Sequence, residues 1–224
     1  MKLIYNIVYS NRRTVSISVE RDRKVVVRAP KSFSKKQLSE IVEEKKLWLY
    51  DKINYTPKYP VVSTKEFVSG ESILFLGKNY KLEVAKENIR SLRFDNKKFY
   101  LSKSNRARAN NIFKNWYKRK AKELLIPKIE YYSTTLGVDY NNIMIREMKY
   151  RWASCTNKDN IVFNWRIIKA PMFVIEYLIV HELAHLLESN HTDSFWNLVK
   201  IQIPNYLKAK EWLKVNGNVL ESSF

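Results

Sequence analysis

A chain of 224 residues with 45% hydrophobic content suits one compact domain or two small ones around an ordinary core, so it is expected to fold. Stretches such as Phe173 to Val180 are too short, and too interrupted by Glu176, to span a bilayer, and Met1–Asn6 lacks the apolar core of a signal peptide; with one cysteine, Cys155, the expected address is cytoplasmic. The net charge of +19 is uneven: residues 1–150 hold 33 Lys+Arg against 15 Asp+Glu, and residues 151–224 hold 8 against 7. Such a basic segment is the footprint of contact with a polyanion, so non-specific DNA is a candidate partner beside simple solubility.

In chain order, residues 14–29 alternate apolar and polar positions around a polar Arg21-Asp22-Arg23-Lys24 turn and predict a β-hairpin. Pro30 ends it. Ser34-Lys35-Lys36-Gln37 is a capping-box start for a helix carrying Leu38, Ile41, Val42, Lys45, Trp48 and Leu49. Pro57, Pro60 and Ser69-Gly70 mark loops, and Ile73 to Val84 around Gly77-Lys78-Asn79 predicts a second hairpin, with pairing continuing to about Leu101. From Asn105 to Leu136 the period is helical, with Ile112, Phe113, Trp116, Ala121 and Leu125 on the apolar side, Lys114, Lys118 and Lys122 in a basic row, and Pro127 expected to kink or restart the helix. Residues 143–147 and 160–168 predict strands; the latter, just before the next helix, could offer a free edge to an extended peptide or lie inside a sheet. The expected division is a β-rich region at 1–102 with one helix, then a catalytic region at 103–224.

All three histidines fall within His181-Glu182-Leu183-Ala184-His185-Leu186-Leu187-Glu188-Ser189-Asn190-His191. Ile175, Leu178, Ile179, Leu183, Leu186 and Leu187 supply helical spacing around them, and Ala170-Pro171 is a helix start. On a helix, His181 and His185 lie one turn apart on one face and can share a cation. Glu182 stands beside them. His191 is far enough along for the chain to leave the helix and turn a third imidazole back, leaving the fourth tetrahedral position open. The arrangement predicts a Zn²⁺ site for amide hydrolysis, in which zinc brings the pKa of bound water to about 7 and Glu182 first takes a proton and then gives it to the leaving amine.

Several segments together resemble the YgjP-like metallopeptidases, zincins related in site design to the SprT-like and WLM proteases. They are Arg12-Arg13 with the hairpin ending Val-Arg-Ala-Pro30, Gly70-Glu71, Leu76-Gly77-Lys78-Asn79-Tyr80, Arg151-Trp152-Ala153-Ser154-Cys155, Asn164-Trp165-Arg166, the His181–His185 motif with Asn190-His191, Phe195-Trp196, Pro204-Asn205-Tyr206 and Trp212-Leu213. The resemblance implies an α+β fold, a zincin-like core with a β-rich N-terminal region, zinc on His181, His185 and His191, and Glu182 as catalytic base. It also suggests a protease that DNA recruits. Ala153 stands where the family usually has glycine. Spacing alone also resembles the metzincins, but Glu188 occupies their glycine position.

Asn164, Arg151 and Tyr206 are candidate substrate-binding residues from their place near these motifs, and Arg151, Tyr150 and Tyr206 are candidate oxyanion donors. Cys155 could hold the open zinc position in a latent form, although a buried cysteine usually packs as a small hydrophobe. A rival reading is a nucleic-acid-binding protein with a structural zinc, which needs a fourth protein ligand from Cys155, Glu188 or Glu211. Glu182 argues against it, since a structural site has no use for a general base. The expected partners are a protein or peptide substrate, with no membrane.

Overall fold

The computed structural model describes residues 3–19, 24–54, 65–86, 91–148 and 151–221. The chain forms two compact units, Met1–Pro57 and Lys58–Phe224. The strands at 72–102, which composition grouped with the N-terminal region, thus belong to the same unit as the helices that follow. Among the described residues no helix is long and apolar enough to cross a membrane.

In the first unit, strands β1 (Tyr5–Ser10), β2 (Ser16–Val19) and β3 (Val25–Pro30) form a sheet in the order β1-β3-β2. The expected hairpin is the antiparallel β2–β3 pair, with Ser18 opposite Val26, and its turn at 21–23 lies outside the described residues. β1 adds parallel to the other side, Ile7 opposite Val27, so the run Val25-Val26-Val27 is buried as a central strand should be. Helix α1 (Lys35–Glu44) starts at the capping box foreseen, Ser34 accepting from the Gln37 N–H and Gln37 accepting from the Ser34 N–H. The single helix expected here is interrupted at Lys45 (φ −94°, ψ 12°), and α2 (Lys46–Asn54) follows. The interruption lets Leu38, Val42 and Leu49 all reach the core of Val25, Val27 and Ala29.

In the second unit, β4 (Ser72–Phe75), β5 (Lys78–Ala85), β6 (Arg93–Phe94) and β7 (Lys98–Ser102) make a sheet in the order β4-β5-β7-β6. The β4–β5 turn is Leu76-Gly77, both with positive φ (48° and 76°), as a two-residue hairpin of this hand requires. A 3₁₀ turn (Lys103–Arg108) leads into α3 (Ala109–Leu136), which passes through Pro127 without restarting and ends at Gly137 in the left-handed conformation. The missing proline N–H removes one rung of a 28-residue helix whose apolar side is anchored by Phe113, Trp116, Ala121, Leu125 and Ile129. Of the basic row, Lys114 is tied to Glu147 at 2.5 Å, Lys118 is half-buried and Lys122 is exposed.

Strands β8 (Asn142–Arg146), β9 (Ala153–Cys155) and β10 (Asn160–Asn164) form a third sheet in the order β8-β10-β9. β10 is central, bonded on both sides, so it offers no edge to a peptide; β9 is an edge strand. The chain after Asn164 is also not strand, as 160–168 had suggested, but a 3₁₀ turn (Trp165–Lys169) capped by the Asn164 side chain. Helices α4 (Met172–Ala184), α5 (Asp193–Gln202) and α6 (Tyr206–Leu220) complete the unit.

The β4–β5 turn seats directly on the lead-in to α4. Leu76 and Gly77 donate to the carbonyls of Ile168 (3.0 Å) and Lys169 (2.8 Å), and a Cβ on Gly77 would lie 2.6 Å from Pro171 Cγ. Glycine is needed here for its positive φ and for this approach.

Candidate metal centre

α4 is apolar nearly all round, with Val174, Ile175, Leu178, Ile179, Val180, Leu183 and Ala184 buried, which makes it the central helix of its unit. It begins after Pro171, whose φ of −58° suits a helix start, and ends at His185. Leu186, Leu187 and Glu188 turn back onto the carbonyls of Leu183 and Ala184, and Thr192 opens α5 by accepting from the Phe195 N–H. That leaves Ser189–His191 as a short connection between two capped helix ends. It returns His191 to the face of α4 that carries His181 and His185.

The ligating atoms of His181, His185 and His191 all lie within 4.8 Å of one another. The Nε2 atoms of His181 and His191 are 3.1 Å apart. Two nitrogens bound tetrahedrally to one ion at about 2.0–2.1 Å would be separated by roughly 3.3 Å, so the pair is already spaced as ligands are. His185 Nδ1 is 3.1 Å from the Glu188 carbonyl, which fixes the ring as an Nδ1–H donor and leaves Nε2 with its lone pair. His181 Nδ1 is buried with no hydrogen-bond partner among the described residues. Burial first, then the neighbouring imidazoles and Lys210, brings His181 down to about 3, and burial with His185 and Lys210 lowers His191. Neutral imidazoles gathered on one point are what a divalent cation needs. The residues fit a metal ion.

Glu182, one residue past His181, is buried. Burial pushes its carboxyl up to about 7, against the Cys155 backbone N–H and the charge of Arg151, which both lower it. β9 is therefore the strand that lines this side of the site. Ala153 lies in β9 opposite Phe163 and is not among the described residues with positive φ, so alanine in place of the family's glycine carries no backbone strain there.

The other expected residues divide. Asn164 is fully buried, its amide nitrogen donating to the carbonyls of Met148 (2.8 Å) and Arg151 (3.3 Å) and its oxygen accepting from the Arg166 N–H (3.2 Å). These bonds satisfy its amide inside the protein and tie Met148, Arg151 and Arg166 to one side chain. Arg151 is exposed and reaches Ser154 Oγ at 3.3 Å. Tyr150 lies outside the described residues. Tyr206 stacks between Tyr177 (6.4 Å) and Trp196 (5.2 Å), and Trp196 stacks on His191 (5.6 Å). Sequence reasoning did not assign Trp196 or Lys210; Trp196 lies five residues past His191, and only the turn into α5 brings its ring onto the imidazole. The suggested fourth ligands stand elsewhere: Cys155 Sγ lies 3.7 Å from the Thr156 carbonyl, Glu188 accepts from Asn190 at 3.4 Å, and Glu211 pairs with Lys214 at 3.6 Å. Among the described residues the cluster is the three histidines alone. A cavity lined by Ser91, Leu92, Ile112, Asn115, Trp116 and Arg119 includes none of them.

Two solved structures resemble the chain. One is the metallopeptidase zymogen abylysin of Pyrococcus abyssi, 22% identical, with a TM-score of 0.35, covering 40% of this chain and 93% of that one. The other is the metallopeptidase zymogen jannalysin of Methanocaldococcus jannaschii, 21% identical, with a TM-score of 0.35, covering 40% of this chain and 94% of that one. No curated protein gives a significant match. The YgjP-like metallopeptidase domain matches residues 13–216, nearly the whole chain, and with three imidazoles converging as a divalent metal requires, the protein belongs to the YgjP-like metallopeptidase family.

Proposed function

We propose that the chain is a zinc-dependent peptidase of the His-Glu-x-x-His type, with His181, His185 and His191 as the metal ligands and Glu182 as the catalytic base. The observation that carries this reading is the convergence of three imidazoles with no fourth protein ligand among the described residues, which leaves a coordination position for substrate chemistry. When bound, zinc supplies a Lewis acid that polarises a scissile carbonyl and makes water acidic enough to lose a proton near neutral pH. Glu182 takes that proton on its carboxylate, oriented by the Cys155 N–H, and passes it to the leaving amine nitrogen. Glu188 holds His185 through its carbonyl, keeping the ring in the tautomer that presents Nε2. Arg151, exposed beside β9, and Tyr206, stacked on Trp196, are the donors assigned to a developing oxyanion or the substrate backbone in this reading. The substrate is a protein or peptide, and the address is cytoplasmic.

Metal analysis and hydrolysis of a peptide panel test this together. Wild type should carry one zinc per chain, and Glu182→Gln should keep the zinc while losing at least about 10²-fold in kcat/KM, the lower range of general-base catalysis. Equal cleavage by the variant removes Glu182 from the mechanism.

A further inference from the structure

The wall of the site on the side of His191 is aromatic and ends in a cation. Trp196 lies nearly parallel to His191 (26°) and to Tyr206 (16°), and Lys210, one turn past Tyr206 on α6, sets its Nζ 4.4 Å from the centre of the Trp196 ring. Lys210 is exposed and makes no ion pair among the described residues; the carboxylate next to it in sequence, Glu211, faces Lys214 instead. Its field reaches His181 and His191. A lone ammonium beside a cluster built to hold a divalent cation opposes that cation, so it contributes nothing to metal binding. Its cation–π contact with Trp196 is exposed, and so weak enough to be exchanged for a charge-assisted hydrogen bond when an anion arrives.

We propose that Lys210 is a specificity-determining residue that draws a substrate carboxylate, from an acidic side chain or a free chain terminus, to the side of the metal site that carries Trp196 and Tyr206. The inference rests on the peptidase reading above and adds the class of peptide preferred. The ammonium swings from the Trp196 ring to the carboxylate, while the ring keeps its stack on His191 and Tyr206. His191, held from behind by the same ring, is not displaced.

The test is calorimetric titration of zinc-loaded Glu182→Gln protein, which binds without cleaving, in low salt. Three peptide sets are compared: an uncharged parent blocked at both ends, the parent with Glu in place of Gln at successive positions, and the parent with a free instead of an amidated C-terminus. The same titrations are run with Lys210→Gln added, after zinc content is shown to be equal. At least one carboxylate set should bind about tenfold tighter than its neutral counterpart, as expected of a charge-assisted contact, and Lys210→Gln should erase the difference. The set that responds identifies the source of the carboxylate. Equal affinity for charged and neutral peptides, or a preference that survives Lys210→Gln, overturns the inference. If wild type cleaves the neutral parent in that case, the peptidase reading stands and only the specificity fails; if no peptide binds or is cleaved, both fail.

Discussion

His191 is the most exposed of the three histidines and comes from the connection after α4, so it depends on the Thr192 cap and on the Trp196 ring for its place. His191→Ala should leave a two-ligand site that loses zinc to a competing chelator under conditions where wild type retains it; retention of full zinc would mean another residue is the third ligand. A different single residue contributes to pH dependence on the alkaline side. Lys169 is 1% exposed, donates to the Leu220 carbonyl at 3.3 Å and lies 5.5–5.6 Å from the Trp165 and Tyr117 rings. Burial first, then the charges of Arg166 and Lys65, lowers its ammonium from 10.5 to about 7. Between those values the unfolded chain holds a proton that the folded chain has released, so this group makes stability climb with pH, by up to about 1.4 kcal/mol per pH unit, and adds no slope below pH 7. Lys169→Met keeps the volume and removes the titration. Urea unfolding at pH 6.5, 8 and 9.5 should show wild type gaining on the variant as pH rises; a constant difference would show that the buried lysine keeps its proton.

Among the elements, the hairpin turn at Leu76-Gly77 has the clearest consequence, because it props the start of the motif helix. Two glycines separate conformation from contact. Gly137 has φ +67° with nothing within 4 Å of an added Cβ, whereas Gly77 has φ +76° and meets Pro171 at 2.6 Å. Gly137→Ala should cost about 1 kcal/mol, the left-handed penalty alone, and Gly77→Ala about 2–3 kcal/mol or more, with strain and overpacking combined. Denaturant unfolding of both variants checks this, and equal losses would mean that the turn yields without pressing on α4. Gly77→Ala should also lower zinc retention, since Pro171 and the 3₁₀ turn set where α4 begins.

For the whole molecule, the excess of positive charge does not separate with the compact units. Residues 1–57 hold 13 Lys+Arg against 6 Asp+Glu, while 58–150, in the same unit as the histidines, hold 20 against 9. If that excess serves to meet a polyanion, the expected outcome is non-specific DNA binding with a dissociation constant of roughly 10⁻⁴–10⁻⁶ M, whose logarithm shifts by about 0.9 per phosphate contact per log unit of salt. Lys118 and Lys122 are the row members to replace by glutamate, because Lys114 is held by Glu147, which Arg166 also binds at 2.7 Å. Their replacement should reduce the salt slope without changing zinc content. No binding at about 10 μM protein in low salt would leave the charge without a nucleic-acid role.

What the sequence determined by itself was local. The capping box at Ser34, the two hairpins, the long helix before Gly137 and the motif helix after Pro171 all follow from hydrogen bonds and side-chain contacts between residues a few positions apart, and the i, i+4 spacing of His181 and His185 belongs to the same class. His191 could be brought to them because only the five residues Leu186–Asn190 intervene. Tertiary structure decided everything that depends on which distant segment lies alongside. Periodicity alone does not say that β10 is flanked by β8 and β9, that β1 adds parallel to β3, or that Lys45 interrupts a helix so that Leu49 reaches the same core as Leu38. The same holds for single side chains: Asn164 reads as a site residue from its motif and is a buried brace, while Trp196 and Lys210 gain their meaning only when α5 and α6 fold back against His191. Strand order and burial come from long-range packing, whose register is carried by no short window of residues.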